Sequence, residues 1–168
     1  MPFVVFAYLA VQILIVAYHD FQTKKISNKW SLINIGFYVF FTLIFPEYYT
    51  FSLETFIWPL GFFVAGFILF LMKIMGGGDS KYLASFYLLI PSQFHEQAFF
   101  SLAIATVLVG GSVFTKNIMK NADLIMTAFK NKDIKLVRSI FGKKFAFAPV
   151  IFISWIWFGW IIKEKILF

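Results

Sequence analysis

Cysteine is absent from the 168 residues. That excludes disulfides, thiolate nucleophiles, iron–sulfur clusters and cysteine-based zinc sites. Histidine is scarce: His19 and His95 are too few for a histidine-rich metal cage. Charge is scarce as well, at 14% of residues, where an ordinary soluble domain carries about 25%. Apolar residues fill the gap, at 61% of the chain with 25 phenylalanines and a mean hydropathy of +0.83. A soluble fold of this size keeps too much surface exposed to hide that many Phe, Ile and Leu side chains. A soluble globular enzyme is therefore excluded, and so is a disordered chain. The composition predicts an all-α, polytopic membrane protein, a single membrane-embedded domain over residues 1–168.

Six apolar runs are candidates for membrane-spanning helices, at about 2–19, 31–45, 55–75, 79–95, 97–114 and 145–162. The first has no basic segment before it, and Lys24, Lys25 and Lys29 follow it. That predicts a spanning helix with an outside N-terminus rather than a signal peptide. The fourth is short, because Lys81 to Ile90 alone would rise only about 15 Å. It is expected to continue through Pro91 towards His95. With six crossings, 13 Lys and Arg residues fall on one side: the three after the first helix, Lys73, Lys81 and eight in the loop 115–144. The opposite loops carry Glu47, Glu54 and Glu96, and only Lys163 and Lys165 in the tail break the pattern. A re-entrant fourth run would move the eight-charge loop across the bilayer, so the positive-inside rule favours a true crossing. In that loop Ile118, Ala122, Ile125, Met126 and Phe129 recur at helical spacing, continued by Ile134, Val137 and Phe141. The pattern predicts one or two amphipathic helices on the cytoplasmic leaflet, their lysines facing lipid headgroups.

Two carboxylates stand at the same face of this map. Asp20 directly follows the first run, and Asp79 opens the fourth behind Gly76-Gly77-Gly78. Ionisable residues at membrane segments are costly and are candidates for function. Held close together, two carboxylates do not both ionise readily. The ionised one can act as general base on a water, and the protonated one can hydrogen-bond a scissile carbonyl and then serve the leaving amine. The glycines would let the backbone leave helical dihedrals and approach another segment closely. A plainer alternative stays open, with Asp79 capping a helix and Asp20 an ordinary interfacial residue. No nucleophile elbow, HExxH or phosphate-cradling loop competes. His19 reads as interfacial. His95 and Glu96 read as a solvated loop on the far side. Asn28 and Asn34 are candidates for capping or hydrogen bonds near the site.

At these residues the chain resembles the type IV prepilin peptidases, the short form of that family. Asp20-Phe21-Gln22-Thr23-Lys24-Lys25-Ile26-Ser27-Asn28 is similar to their first motif, an aspartate and five residues before Ile-Pro-Asn. Gly76-Gly77-Gly78-Asp79-Ser80-Lys81 is similar to their second, GxGDxK. Phe145-Ala146-Phe147-Ala148-Pro149 is similar to the stretch that opens their last helix. The resemblance runs from about residue 10 to 155. It implies an aspartic endopeptidase with Asp20 and Asp79 as the catalytic pair and Gly76 and Gly78 as motif glycines. Ile26 and Asn28 are motif residues; a peptide substrate would lie extended beside the three glycines, Gly77 among them. Lys81 matches the motif lysine, which either reaches lipid phosphates or stabilises a nearby ionised carboxylate.

Ser27 departs from the motif proline, which loosens the turn after Asp20. Larger members carry a cysteine-bearing zinc domain and methylate the new N-terminus. The absence of cysteine and the short first connection exclude that domain here. The resemblance thus implies a leader peptidase without methyltransferase, with no metal or other cofactor. It would act in the cytoplasmic membrane of a prokaryote on single-span, prepilin-like proteins with a basic leader. Membrane lipids are the other expected partner, and nucleic acid is not one, since basic loops beside spanning helices report topology. Presenilin-like proteases share GxGD, but their YD and PALP motifs are missing. The rival class is a non-catalytic membrane protein such as a transporter subunit or assembly scaffold.

Overall fold

The structure, a computed structural model, describes residues 1–71, 75–130 and 147–166. Among these the secondary-structure elements are all helices. The helices are α1 (Phe3–Thr23), α2 (Asn28–Ile44), α3 (Leu53–Leu71), α4 (Gly77–Leu88), α5 (His95–Lys120), α6 (Ala122–Lys130) and α7 (Ala148–Ile161). Short 3-10 turns cover Ser92–Phe94 and Lys163–Lys165. Among the described residues three segments are long and apolar enough to cross a membrane: α1, α3, and Ser92–Lys120, which includes α5. The apolar helix α7 is shorter. Large side chains such as Leu43, Leu60, Val107 and Trp160 lie exposed on the outside of the bundle. Such a surface suits lipid and would be a liability in water.

Several boundaries differ from the pattern read in the sequence. α2 begins at Asn28 rather than 31, because Ser27 caps it: its side chain accepts a hydrogen bond from the Lys29 amide at 3.3 Å. Serine in place of the motif proline thus starts a helix rather than loosening a turn. α4 stops at Leu88 instead of running through Pro91, since proline disfavours helical dihedrals in the residue before it and supplies no N–H. α5 starts at His95 and continues to Lys120, so Lys116 and Lys120 lie on a helix that the sequence pattern had ended at 114. Of the residues in the amphipathic pattern, Ile118 belongs to the end of α5, and Ala122, Ile125 and Met126 lie on the separate helix α6. Ile134, Val137, Phe141 and residues 145–146 lie outside the described residues, as do 72–74 of the expected third helix, whose expected last residue, Met75, is a bend rather than helical.

Backbone packing is closest between α1 and α7, α5 and α7, α2 and α4, and α3 and α4. α4 is the most enclosed helix, with Asp79, Ser80 and every residue from Tyr82 to Tyr87 buried. A short helix of this kind can sit at membrane depth only because protein surrounds it and its end carbonyls are satisfied. Two segments do this at its C-terminus. The Tyr49 hydroxyl donates to the Leu89 carbonyl at 2.8 Å. His95 Nε2 lies 3.0 Å from the Tyr87 carbonyl and 2.8 Å from that of Ile90, so this nitrogen carries the proton. His95 is 1% exposed, which corrects the expectation of a solvated loop residue; Glu96 beside it is exposed. The ring is buried because α4 ends early and leaves carbonyls to be capped.

Replacing His95 by Phe, or Tyr49 by Phe, keeps most of the volume and strips donors from buried carbonyls. Each is expected to cost about 1–3 kcal/mol, read as a lowered melting temperature in detergent. Unchanged melting of both variants would contradict this capping role.

Candidate active site

Asp20 sits in the last turn of α1 and is 1% exposed. Its helix closes with Lys24 in the left-handed region (φ 52°), whose amide donates to the Asp20 carbonyl at 2.7 Å. This αL cap turns the chain back towards Ile26. The Asp20 side chain is held from the other end of the sequence: the Ala148 amide donates to Oδ2 at 2.9 Å, and the Phe147 amide also bonds to the carboxyl. Both amides belong to the N-terminus of α7, where free N–H groups and the helix dipole favour a negative oxygen. Pro149, which has no N–H of its own, helps fix where that helix starts.

Asp79 lies in the first turn of α4 and is 8% exposed. Its Oδ2 accepts the Gly76 amide at 3.2 Å, so the carboxylate reaches back to the helix N-cap. Part of the plainer alternative is therefore present, with Gly76 rather than Asp79 at the N-cap position. The same bond fixes the direction of the carboxyl group. Among the described residues no glycine has a positive φ, and Gly77 and Gly78 are helical. The expected departure from helical dihedrals is thus confined to Gly76, which is extended at φ −76°, ψ 144°.

The close approach is found at Gly78. A Cβ there would collide with the Ile26 carbonyl oxygen, so the residue before Asp79 lies directly on the chain that follows Asp20. Ile26 itself is buried. A second tight contact supports the same helix from behind, where a Cβ on Gly66 of α3 would fall 2.6 Å from Ser80 Oγ. The two motifs therefore touch, and both carboxylates are buried at one end of the bundle. Gly76, Lys81 and Asn28 are exposed, and so is His19. Asn34, which lies outside the motif, is fully buried.

The Ala148 amide was not visible as a functional group in the sequence, since an amide carries no residue-type signal. Gln12 and Gly66 were also missed. A lone glutamine within the apolar run Pro2–Tyr18 is itself a signal, because a buried amide in hydrocarbon needs partners.

Fold and site together define a helical membrane protein with two enclosed carboxylates at one end of its helices. Residues 7–114 match the profile of the type IV leader peptidase family, which is more than half of the chain, and the protein belongs to that family. No curated protein matches the chain, and neither does any solved structure. The matched span contains both aspartates and ends before α7, the helix that grips Asp20. A leader-peptidase-like function follows from membership.

The glycine geometry makes a sharp prediction. Gly78→Ala is expected to lose about 1–3 kcal/mol of stability through overpacking against backbone. Gly77→Ala is expected to melt near the unsubstituted protein, as its Cβ would meet only Phe70 at 3.5 Å, an ordinary contact. Equal melting of the two variants in detergent would argue against the Ile26–Gly78 contact.

Proposed function

We propose that this protein is a membrane aspartic endopeptidase that removes the short basic leader of prepilin-like, single-span proteins at the cytoplasmic face, without methylating the product. The observation that carries the reading is the joining of the two motifs. Asp20 and Asp79 each lie in a family motif, each is buried, and the segments bearing them touch at Ile26 and Gly78. In this reading α1, α2, α3, α4 with its following turn, α5 and α7 make six crossings of the inner membrane.

The chemistry needs one proton shared between two carboxylates. The ionised carboxylate takes a proton from water as the oxygen attacks the scissile carbonyl, while the protonated one hydrogen-bonds the carbonyl oxygen. The tetrahedral intermediate then collapses: the carbon–nitrogen bond breaks, the amine leaves with a proton, and the leader keeps a free carboxylate. No bond to the enzyme forms. Both carboxyls are covered in this structure, so the substrate must part the segments around them before water can attack. A leader lying beside the start of α4 would meet the first amides of that helix, which no carbonyl of the helix itself takes. Its positive charge would meet a basic protein face, which anionic lipid and the acidic pair would offset.

Co-expression with a prepilin-like protein tests the reading through a mobility shift on a gel. Asp20→Asn and Asp79→Asn are each expected to lower the cleavage rate by roughly a hundred- to ten-thousandfold. The unsubstituted enzyme is expected to show a bell-shaped pH–rate profile, failing in acid when both carboxyls are protonated and in base when both are ionised. Retained cleavage in either variant would rule out the two-carboxylate mechanism. No cleavage by the unsubstituted protein, with both variants folding normally, would favour the scaffold reading.

A further inference from the structure

The closest backbone packing groups α1 and α5 with α7, and α2 and α3 with α4. Each group carries one aspartate, Asp20 on the first and Asp79 on the second. Something must hold the groups in register, and a polar cluster in the apolar interior crosses between them. Gln12 Nε2 of α1 donates to Asn34 Oδ1 of α2 at 2.6 Å and lies 2.8 Å from the Tyr8 hydroxyl. Asn34 Nδ2 donates to Ser85 Oγ of α4 at 3.2 Å. The Tyr82 hydroxyl of α4 donates to Gln12 Oε1 at 3.4 Å, and Ser85 Oγ donates to the Tyr82 carbonyl at 2.9 Å. Gln12, Asn34, Tyr82 and Ser85 are all buried. The two amides lock each other's orientation, because each uses both its oxygen and its nitrogen.

We propose that Gln12, Asn34, Tyr82 and Ser85 form a positioning clamp that sets the register of α1 against α4 and so the separation of the two carboxylates. The proposal rests on the two-aspartate reading above. From the clamp, Asp20 lies eight residues further along α1, roughly 12 Å at 1.5 Å per residue. Asp79 lies three residues before Tyr82 and six before Ser85, roughly 4.5 and 9 Å along α4. The two helices run in opposite directions, so both carboxylates are displaced from the clamp towards the same end. Ring contacts across the same boundary, such as Tyr8 with Phe37 at 4.3 Å between centroids, tolerate small slides. Amide hydrogen bonds do not: in hydrocarbon a slipped amide finds no water to replace its partner. A slip of one residue would translate α1 by about 1.5 Å and turn it by about 100°, which carries Asp20 away from its partner.

The test uses the purified full-length protein in liposomes. The probe is a synthetic peptide with a lysine-rich leader ending in glycine, followed by a hydrophobic helix. Gln12→Met keeps the length of the side chain and removes its hydrogen bonds. The double variant Tyr82→Phe/Ser85→Ala removes only two oxygen atoms, and it decides the question alone if Gln12→Met does not fold. Each is expected to lower kcat about ten- to a hundredfold with KM within about twofold. The two limbs of the pH–rate profile should draw together, because carboxylates held further apart influence each other less. Wild-type kcat per folded molecule with unaltered limb spacing would overturn the clamp, even if melting fell. If instead Asp20→Asn or Asp79→Asn still cleaves the same probe, the two-aspartate reading falls, and the clamp with it. Inactive aspartate variants beside an unperturbed Gln12→Met remove the clamp alone.

Discussion

Hydrocarbon offers no water to an unpaired polar group, so every amide, carbonyl and carboxyl at membrane depth must find its partner within the protein. Much of this architecture follows from that constraint. α4 has only 12 residues, too few for a helix to cross about 30 Å of hydrocarbon alone. It survives at the centre because its neighbours complete it. Tyr49 and His95 cap its C-terminal carbonyls, Asp79 reaches back to the Gly76 amide at its start, and Asn34 meets Ser85 in its middle. A short central helix also lets α3 and α2 close on it, which brings Gly66 onto Ser80 and Ile26 onto Gly78.

The same constraint shapes the site. Asp20 is the C-terminal carboxyl of one helix held by the N-terminal amides of another, 128 residues away in sequence. A buried carboxyl without such donors would be expensive. α7 therefore belongs to the site although it lies beyond the span matched by the family profile. The two carboxyls sit on helices that pack with different neighbours, and they are joined by a backbone contact at one level and a polar cluster one to two turns deeper. In the proposed clamp this arrangement holds the helices in register along their axes.

Local patterns in the sequence were sufficient for the helical class, for most helix positions, and for placing Asp20 at the end of α1 and Asp79 at the start of α4 behind its glycines. Those features depend on apolar runs, breakers and charge placement, all of which act over short separations. The partners of His95, Gln12 and Asp20 were illegible because they are carbonyls, amides and side chains on distant segments. His95 lay next to Glu96 after a proline and looked like loop chemistry. Only the early end of α4 explains why the ring is buried. Gln12 was absorbed into an apolar run, where its single amide was outweighed by its neighbours. Gly78 was identified by motif, but the reason a Cβ is disfavoured there, the Ile26 carbonyl, required coordinates. Ser27 shows the converse: a departure from the motif proline that looked like a loosened turn is a working helix cap.

The central claim is that Asp20 and Asp79 face each other closely enough to share a proton. The absence of cysteine from the chain permits a direct test, because a pair of introduced thiols has no background. In membranes carrying Asp20→Cys together with Asp79→Cys, mild oxidation should produce an internal disulfide, seen as a mobility change that reductant reverses. A disulfide requires Cα atoms within about 7 Å. A control pairing Asp20→Cys with Glu54→Cys should remain uncrosslinked. If the 20–79 pair does not crosslink, with oxidant or with a short bifunctional thiol reagent, the two acids do not meet and the account is contradicted.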